Sequence, residues 1–405
     1  MALVFCTLNQ DTPVCPPSIL TDVGVEYVPL EDVEKLERYR QGGYHPITVG
    51  DHLHDRYRII HKLGFGTYST TWLAKDQKTD KYVAIKIAIA TCESFEGDII
   101  DRLGVADVEH CAHPGQAIIP SILDKFVLSG PNGKHRCFVT VPARMTLAEA
   151  QDASQIRLFQ LPVARAIVAQ LIQGVAFLHS RGVVHAEPIV RLDNQSLPRG
   201  VPRYGVLPVW LGKKSELISL PEAKIILTDF GESFLPFTTI RSYSSAPDLL
   251  VPPEAHFAPK EPLSFPADVW TLARTIWAIM GQRQLFEGFH PSADWMGKEY
   301  VEVLGKLPAK WWQKWDARRK WFNEEGARDH GGIGRPLTER FEYSIQEPRR
   351  QSGMAEVGVE EKCALLKMLR AMLAFTPGER PTARDVLQSE WMRKWALPEL
   401  DKMET

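Results

Sequence analysis

One run, residues 63–86, limits most strongly what this chain can become. It reads Leu63-Gly64-Phe65-Gly66-Thr67-Tyr68-Ser69-Thr70-Thr71-Trp72-Leu73-Ala74 and closes on Tyr82-Val83-Ala84-Ile85-Lys86. Gly64 and Gly66 let backbone N–H groups approach an anion without a Cβ in the way. The flanks alternate like strands and are rich in Val, Ile, Tyr and Trp, which puts the glycines in a hairpin. Lys86 ends the apolar run Val83-Ala84-Ile85, and an ammonium there needs an anionic partner because unpaired burial is costly. A dinucleotide-binding turn leads from strand into helix, whereas this one leads into a second strand. A Walker loop carries its lysine directly after its glycine, whereas Thr67 follows Gly66. Neither of those two phosphate-binding classes fits.

A glycine hairpin followed by a strand ending in Ala-x-Lys is the front of a protein kinase nucleotide site. Ser69 stands where the third glycine of that pattern usually is. The expected nucleotide-binding residues are Leu63, Gly64, Phe65, Gly66, Thr67, Tyr68, Ser69, Thr71, Ala84 and Lys86. The spacing predicts strands over 57–63, 70–76 and 81–89. A short helix is predicted over 95–103, where Phe95, Ile99 and Leu103 recur at helical spacing. Glu96 suits the helix glutamate that pairs with the strand lysine, and Glu93 is the alternative. Residues 118–127 and 136–141 read as strands around the turn at 129–133. Thr140 then sits at the hinge between lobes, beside the adenine.

From Leu161 the chain becomes helical, with Val163, Ile167, Leu171, Val175 and Leu178 as an apolar stripe and Arg181-Gly182 as its end. Residues 225–228 read as a buried strand leading to Asp229-Phe230-Gly231. A lone Asp-Phe-Gly is usually just a turn. Downstream of Lys86 and the long helix, Asp229 becomes the expected Mg²⁺ ligand against the nucleotide phosphates. Pro252-Pro253-Glu254 and Arg380 are expected to form a buried ion pair, which fixes geometry more than it adds stability. Trp295, Trp311, Trp312, Trp315 and Trp321 are expected to pack an insertion onto the lower lobe rather than to bind a peptide.

Composition narrows the partners. The 48 basic and 50 acidic residues nearly cancel, so no global field for nucleic acid is implied. The six cysteines show no CxxC pair and read as reduced thiols of a cytoplasmic or nuclear protein. The apolar start is too short for a signal segment, and no run is read as a membrane span. The expected organisation is an N-terminal arm over 1–40, an upper lobe over 41–142 with its core from about 57, a lower lobe over 143–398 with an insertion at about 281–360, and a tail over 399–405. The arm is read as irregular, with a short helix over 30–39. The fold class is α+β: a small β-rich lobe and a large helical lobe.

The chain resembles the SR-protein kinases, specifically the SR-kinase-like group found in fungi. The resemblance is carried by Tyr39-Arg40-Gln41-Gly42-Gly43-Tyr44-His45-Pro46, the glycine hairpin, and Ser129-Gly130-Pro131-Asn132-Gly133-Lys134-His135. Further on it is carried by Asp229-Phe230-Gly231-Glu232-Ser233-Phe234 and Leu263-Ser264-Phe265-Pro266-Ala267-Asp268-Val269-Trp270-Thr271-Leu272. It implies a bilobal kinase fold, ATP with Mg²⁺ as cofactors, and phosphoryl transfer to Ser/Thr of protein substrates, Arg/Ser-rich ones among them. The framework of Glu254, Asp268 and Arg380 speaks for a protein substrate over a small molecule.

One stretch departs from the family. Its catalytic loop should read His-Arg-Asp or a variant, with an asparagine five residues after the aspartate. Here the chain reads Val184-His185-Ala186-Glu187-Pro188-Ile189-Val190-Arg191-Leu192-Asp193. Glu187 takes the aspartate's position, Ile189 that of a polar residue near the γ-phosphate, and Leu192 that of the asparagine. The economical reading is that the catalytic loop is missing between Ala186 and Glu187, through a real loss or a dropped exon. Glu187 is left as a weak substitute base, since its extra methylene displaces the carboxylate and about 1 Å can cost roughly a hundredfold. Two functions therefore stand side by side: an active Ser/Thr kinase, and a nucleotide-binding pseudokinase that acts as an interaction module.

Overall fold

The computed structural model describes residues 33–92, 96–104, 113–185, 208, 210–231, 233–242, 251–288, 292–329 and 334–404. Six strands form one antiparallel sheet: β1 (His52–Leu53), β2 (Tyr57–Gly66), β3 (Ser69–Asp76), β4 (Lys81–Ala88), β5 (Asp124–Gly130) and β6 (Gly133–Thr140). Their order is β1-β2-β3-β4-β6-β5. Side chains alternate between the two faces of a strand, and here the alternation separates core from cleft. Tyr57, Ile59, Trp72, Ala74, Val83, Ile85, Ile87, Cys137 and Val139 pack into one buried cluster. Thr71, Ala84, Lys86, Phe138 and Thr140 occupy the intervening positions and share the other face.

The lower lobe is helical, which gives the expected bilobal α+β architecture. Its central helix, Leu161–Ser180, begins with Pro162 in the first turn, where a missing N–H costs nothing. It ends at Gly182, which has φ +73°, and Val183 N–H returns to the Leu178 carbonyl at 3.0 Å. By length and composition this helix is apolar enough to cross a membrane, contrary to the expectation that no run is. Most of it is buried inside the fold, where it packs against the helix Phe265–Met280 with the fully buried Trp270 and Trp277.

One expected strand is corrected, and a second is described only in part. Residues 118–127 do not form one strand: a 3-10 turn spans Pro114–Ile118, and β5 begins only at Asp124. Pro120 has no N–H for a ladder and restrains the residue before it. Among the described residues, 225–227 pair with no strand, while Thr228 forms a β-bridge. Leu227 is fully buried, yet its N–H goes to the Ile118 carbonyl at 2.8 Å, and Ile225 N–H goes to Gln170 Oε1 at 3.2 Å. A turn carbonyl and a glutamine side chain thus satisfy two of these backbone groups. In the expected arm, the described part holds a 3-10 turn at Leu36–Arg38, and Tyr39 and Tyr44 are buried against the sheet lobe.

The tryptophan-rich segment is mostly packing. Trp312 and Trp315 are buried, Trp311 stacks on Phe257 at 5.5 Å, and Trp315 Nε1 donates to Asp294 Oδ1 at 2.8 Å. Trp295 is 39% exposed.

Candidate nucleotide site

The sheet register lines up much of the candidate site. Gly64 lies opposite Thr71, Thr71 opposite Lys86, and Lys86 opposite Phe138. One pair along, Leu73 faces Ala84 and Ala84 faces Thr140; on the other side Gly66 faces Ser69. Directly paired residues project to the same face. Gly64, Gly66, Ser69, Thr71, Ala84, Lys86 and Thr140 therefore share one side of the sheet. Thr67 and Tyr68 form the turn of the hairpin. Leu63 sits at an irregularity in the β2 register. Phe65 lies opposite Thr70 and falls on the other face, with the Lys62 ammonium 5.3 Å from its ring.

Lys86 is the electrostatic centre. Its Nζ bonds to Glu96 Oε2 and lies 3.3 Å from Asp229 Oδ1. Glu96 opens the helix Glu96–Gly104, whose Ile100 and Leu103 are buried in the core. That apolar side seats the helix and turns Glu96 toward β4. The other carboxylate oxygen, Glu96 Oε1, accepts the Phe230 N–H at 3.0 Å. One carboxylate thus joins the strand lysine to the Asp-Phe-Gly segment. Burial opposes the charge on Lys86, but the carboxylates of Glu96 and Asp229 outweigh it and raise the lysine pKa. Burial also opposes ionisation of Asp229, and Lys86 outweighs it, so Asp229 is held below its usual value. Both groups stay charged and partly open to the cleft, with side chains 18% and 28% exposed.

Asp229 has φ +69°, in a region that side chains other than glycine rarely occupy. Such strain persists only where the surroundings over-determine it. Here Phe230 is fully buried against His185, with ring centroids 5.1 Å apart. Asp268 Oδ2 accepts the His185 N–H at 2.9 Å and lies 3.0 Å from His179 Nε2, and Ser233 Oγ donates to the His185 carbonyl at 2.7 Å. Burial would raise the Asp268 pKa, but the His179 and His185 contacts lower it. The chain is therefore pinned through His185. Glu187, Ile189 and Leu192 lie outside the described residues, as does Glu93.

Sequence reasoning missed two groups near the site. One is the cluster of His179, His185 and Asp268, whose members are brought together only by the tertiary fold. The other is the contact of Arg38 and Tyr44 with the hairpin turn. The Gly42-Gly43 pair just ahead of Tyr44 was the available signal that the chain turns tightly there.

No protein-family model matches the chain. A serine/threonine protein kinase of Aspergillus fumigatus is 25% identical over 89% of this chain and 90% of its own length. The serine/threonine-protein kinase SRPK of Physarum polycephalum is 25% identical over 89% of this chain and 91% of its own length. Over most of its length the chain is similar to serine/threonine protein kinases, an SRPK among them. SRSF protein kinase 3 of Homo sapiens matches a shorter stretch at 31% identity, covering 39% of this chain and 28% of that protein. No group of three or more His, Cys, Asp or Glu side chains among the described residues is placed to hold a metal. The acidic side chain beside Lys86 that faces the cleft is Asp229.

Proposed function

We propose that this chain binds ATP with Mg²⁺ in the cleft beneath the glycine hairpin, as a Ser/Thr kinase-type protein directed at protein substrates, Arg/Ser-rich ones among them. One observation carries this reading: Lys86 lies between Glu96 and Asp229, on the same sheet face as Gly64, Gly66, Thr71, Ala84 and Thr140. A magnesium nucleotide needs a cation for its phosphates and a carboxylate for its metal, and the two stand side by side here. Lys86 would hold phosphate oxygens, and Glu96 keeps the ammonium aimed at the cleft. Asp229 would hold Mg²⁺ together with the nucleotide's own phosphates. When bound, the magnesium nucleotide supplies the transferable phosphoryl group and neutralises its charge. Gly64 and Gly66 admit the phosphate chain close to the backbone, and Thr140 borders the adenine end.

The second reading, a nucleotide-binding interaction module, is favoured by one stretch of sequence. Glu187, Ile189 and Leu192 replace the base, the polar γ-phosphate contact and the second metal ligand. Positioning supplies most of the rate in phosphoryl transfer, so three misplaced groups leave binding intact and transfer very slow. A peptide phosphorylation assay tests this. The purified chain is expected to leave an Arg-Ser peptide unphosphorylated, and a chain with a family-type catalytic loop restored between Ala186 and Glu187 is expected to phosphorylate it. Robust transfer by the unmodified chain, lost in Asp229→Ala, would overturn the impairment and make Glu187 or Asp193 the base.

A further inference from the structure

The turn of the glycine hairpin is held by residues outside the strands. Tyr44 Oη donates to the Gly66 carbonyl at 2.5 Å, and Arg38 Nη1 donates to the Thr67 carbonyl at 3.1 Å. Arg38 also donates to Tyr44 Oη at 3.0 Å, which joins the two contacts. Tyr44 is 1% exposed. The segment that carries them is tied down along its length. The buried Glu34 pairs with Lys62 of β2 and accepts from the Tyr39 hydroxyl. Ala90 N–H and Thr91 N–H donate to the Gly43 and Gly42 carbonyls at 3.1 and 3.0 Å, and Asn132 Nδ2 donates to the Tyr44 carbonyl at 2.7 Å. The path needs glycine: Gly42 has φ +84°, and a Cβ on Gly43 would lie 1.9 Å from the Arg38 carbonyl oxygen.

A trans peptide is planar, with its carbonyl and N–H pointing in opposite directions. Fixing the Gly66 carbonyl therefore fixes the direction of the Thr67 N–H, and fixing the Thr67 carbonyl does the same for the Tyr68 N–H. We propose that Tyr44 and Arg38 are positioning residues for the nucleotide, which hold these carbonyls so that the turn's amides face the phosphate chain. The inference rests on the ATP reading above. A hairpin with two glycines has many conformations to lose on binding, and holding it beforehand removes part of that cost.

Calorimetric titration of the full chain with Mg–ADP and with adenosine tests this. Tyr44→Phe should raise the Mg–ADP dissociation constant roughly 3- to 10-fold, the scale of one lost hydrogen bond. It should leave adenosine binding unchanged, because adenosine offers no phosphate to the turn. Arg38→Met, which keeps most of the apolar stem, should show the same selectivity. Equal Mg–ADP affinity in wild type and both variants overturns the positioning role. An equal loss for adenosine also overturns it, since that marks a general loosening of the lobe. A wild-type chain that binds neither ligand fails the nucleotide reading itself, and the positioning role falls with it.

Discussion

Replacing Arg380 by alanine should destabilise the lower lobe more than any surface change. The Arg380 side chain is fully buried, and its guanidinium meets both oxygens of Glu254, at 2.8 and 2.6 Å. It also donates to the carbonyls of Ala374, Phe375 and Pro266 at 2.8, 3.0 and 2.9 Å, and it lies 5.0 Å from the Trp270 ring. Glu254 sits on the short helix Pro253–Phe257 with its side chain 6% exposed. Arg380→Ala strands that carboxylate in a dry site, at a cost of about 3–5 kcal/mol. For a lobe of this size, about 1 kcal/mol corresponds to roughly 2–4 °C, so the midpoint should drop by about 6–20 °C. The control is Arg350→Ala. Arg350 pairs with Glu356 at 2.8 Å, with side chains 58% and 42% exposed, and such a pair contributes about 0–1 kcal/mol. Replacing both buried partners, Arg380→Met with Glu254→Leu, should recover part of the loss because no lone charge remains. Urea and thermal unfolding of the four proteins give the test. A shift in Arg380→Ala no larger than in Arg350→Ala would show that the pair is not a dry one, and a double variant no more stable than Arg380→Ala would show that the lone carboxylate is not the cost.

Further outcomes follow from local geometry. His45 and His135 lie 4.8 Å apart, and burial, helped by His135 and opposed by Asp51, pushes the His45 imidazole down to about 4. Burial lowers His135 as well. Unfolded imidazoles titrate near 6.5, so between about 6.5 and 4 the unfolded chain binds more protons and stability falls as pH falls. His45→Phe should flatten the fall in urea midpoint between pH 7 and pH 5, and an unchanged slope would contradict the assignment. Thr382 caps the helix Ala383–Leu387, accepting the Asp385 N–H at 3.2 Å, while Asp385 accepts the Thr382 N–H at 2.9 Å. Thr382→Ala should cost about 1 kcal/mol in denaturant unfolding, and no loss would mean that the cap contributes nothing.

Contacts set by local spacing were legible before the structure; contacts made by the tertiary path were not. The period-2 runs around Gly64 and Val83 place β2, β3 and β4, and the stripe from Val163 to Leu178 places the long helix. Helical spacing behind Glu96 brought it within reach of Lys86, because a helix seated by Ile100 and Leu103 presents its first turn to the sheet. Ile225 and Leu227 lie in a strand-like run, and their N–H groups go to a glutamine side chain and a turn carbonyl, partners that no local pattern announces. Pro120 was the available signal against one strand through 118–127. The grip of Tyr44 on Gly66 was invisible for another reason. It spans 22 residues and depends on the turn that Gly42 and Gly43 allow. Asp268 likewise reaches His179 and His185 only because the lower-lobe helices pack together.

Lys86, Glu96 and Asp229 are proposed to form a working site for a magnesium nucleotide. Isothermal titration of Mg–ATP into the purified chain, beside Lys86→Ala, tests it most directly. The wild-type chain should show saturable one-to-one binding, with thermal stabilisation that grows with ligand as mass action requires. Lys86→Ala, which removes the cation held by Glu96 and Asp229, should bind far more weakly. Identical isotherms for wild type and Lys86→Ala, or no binding by either, would contradict it.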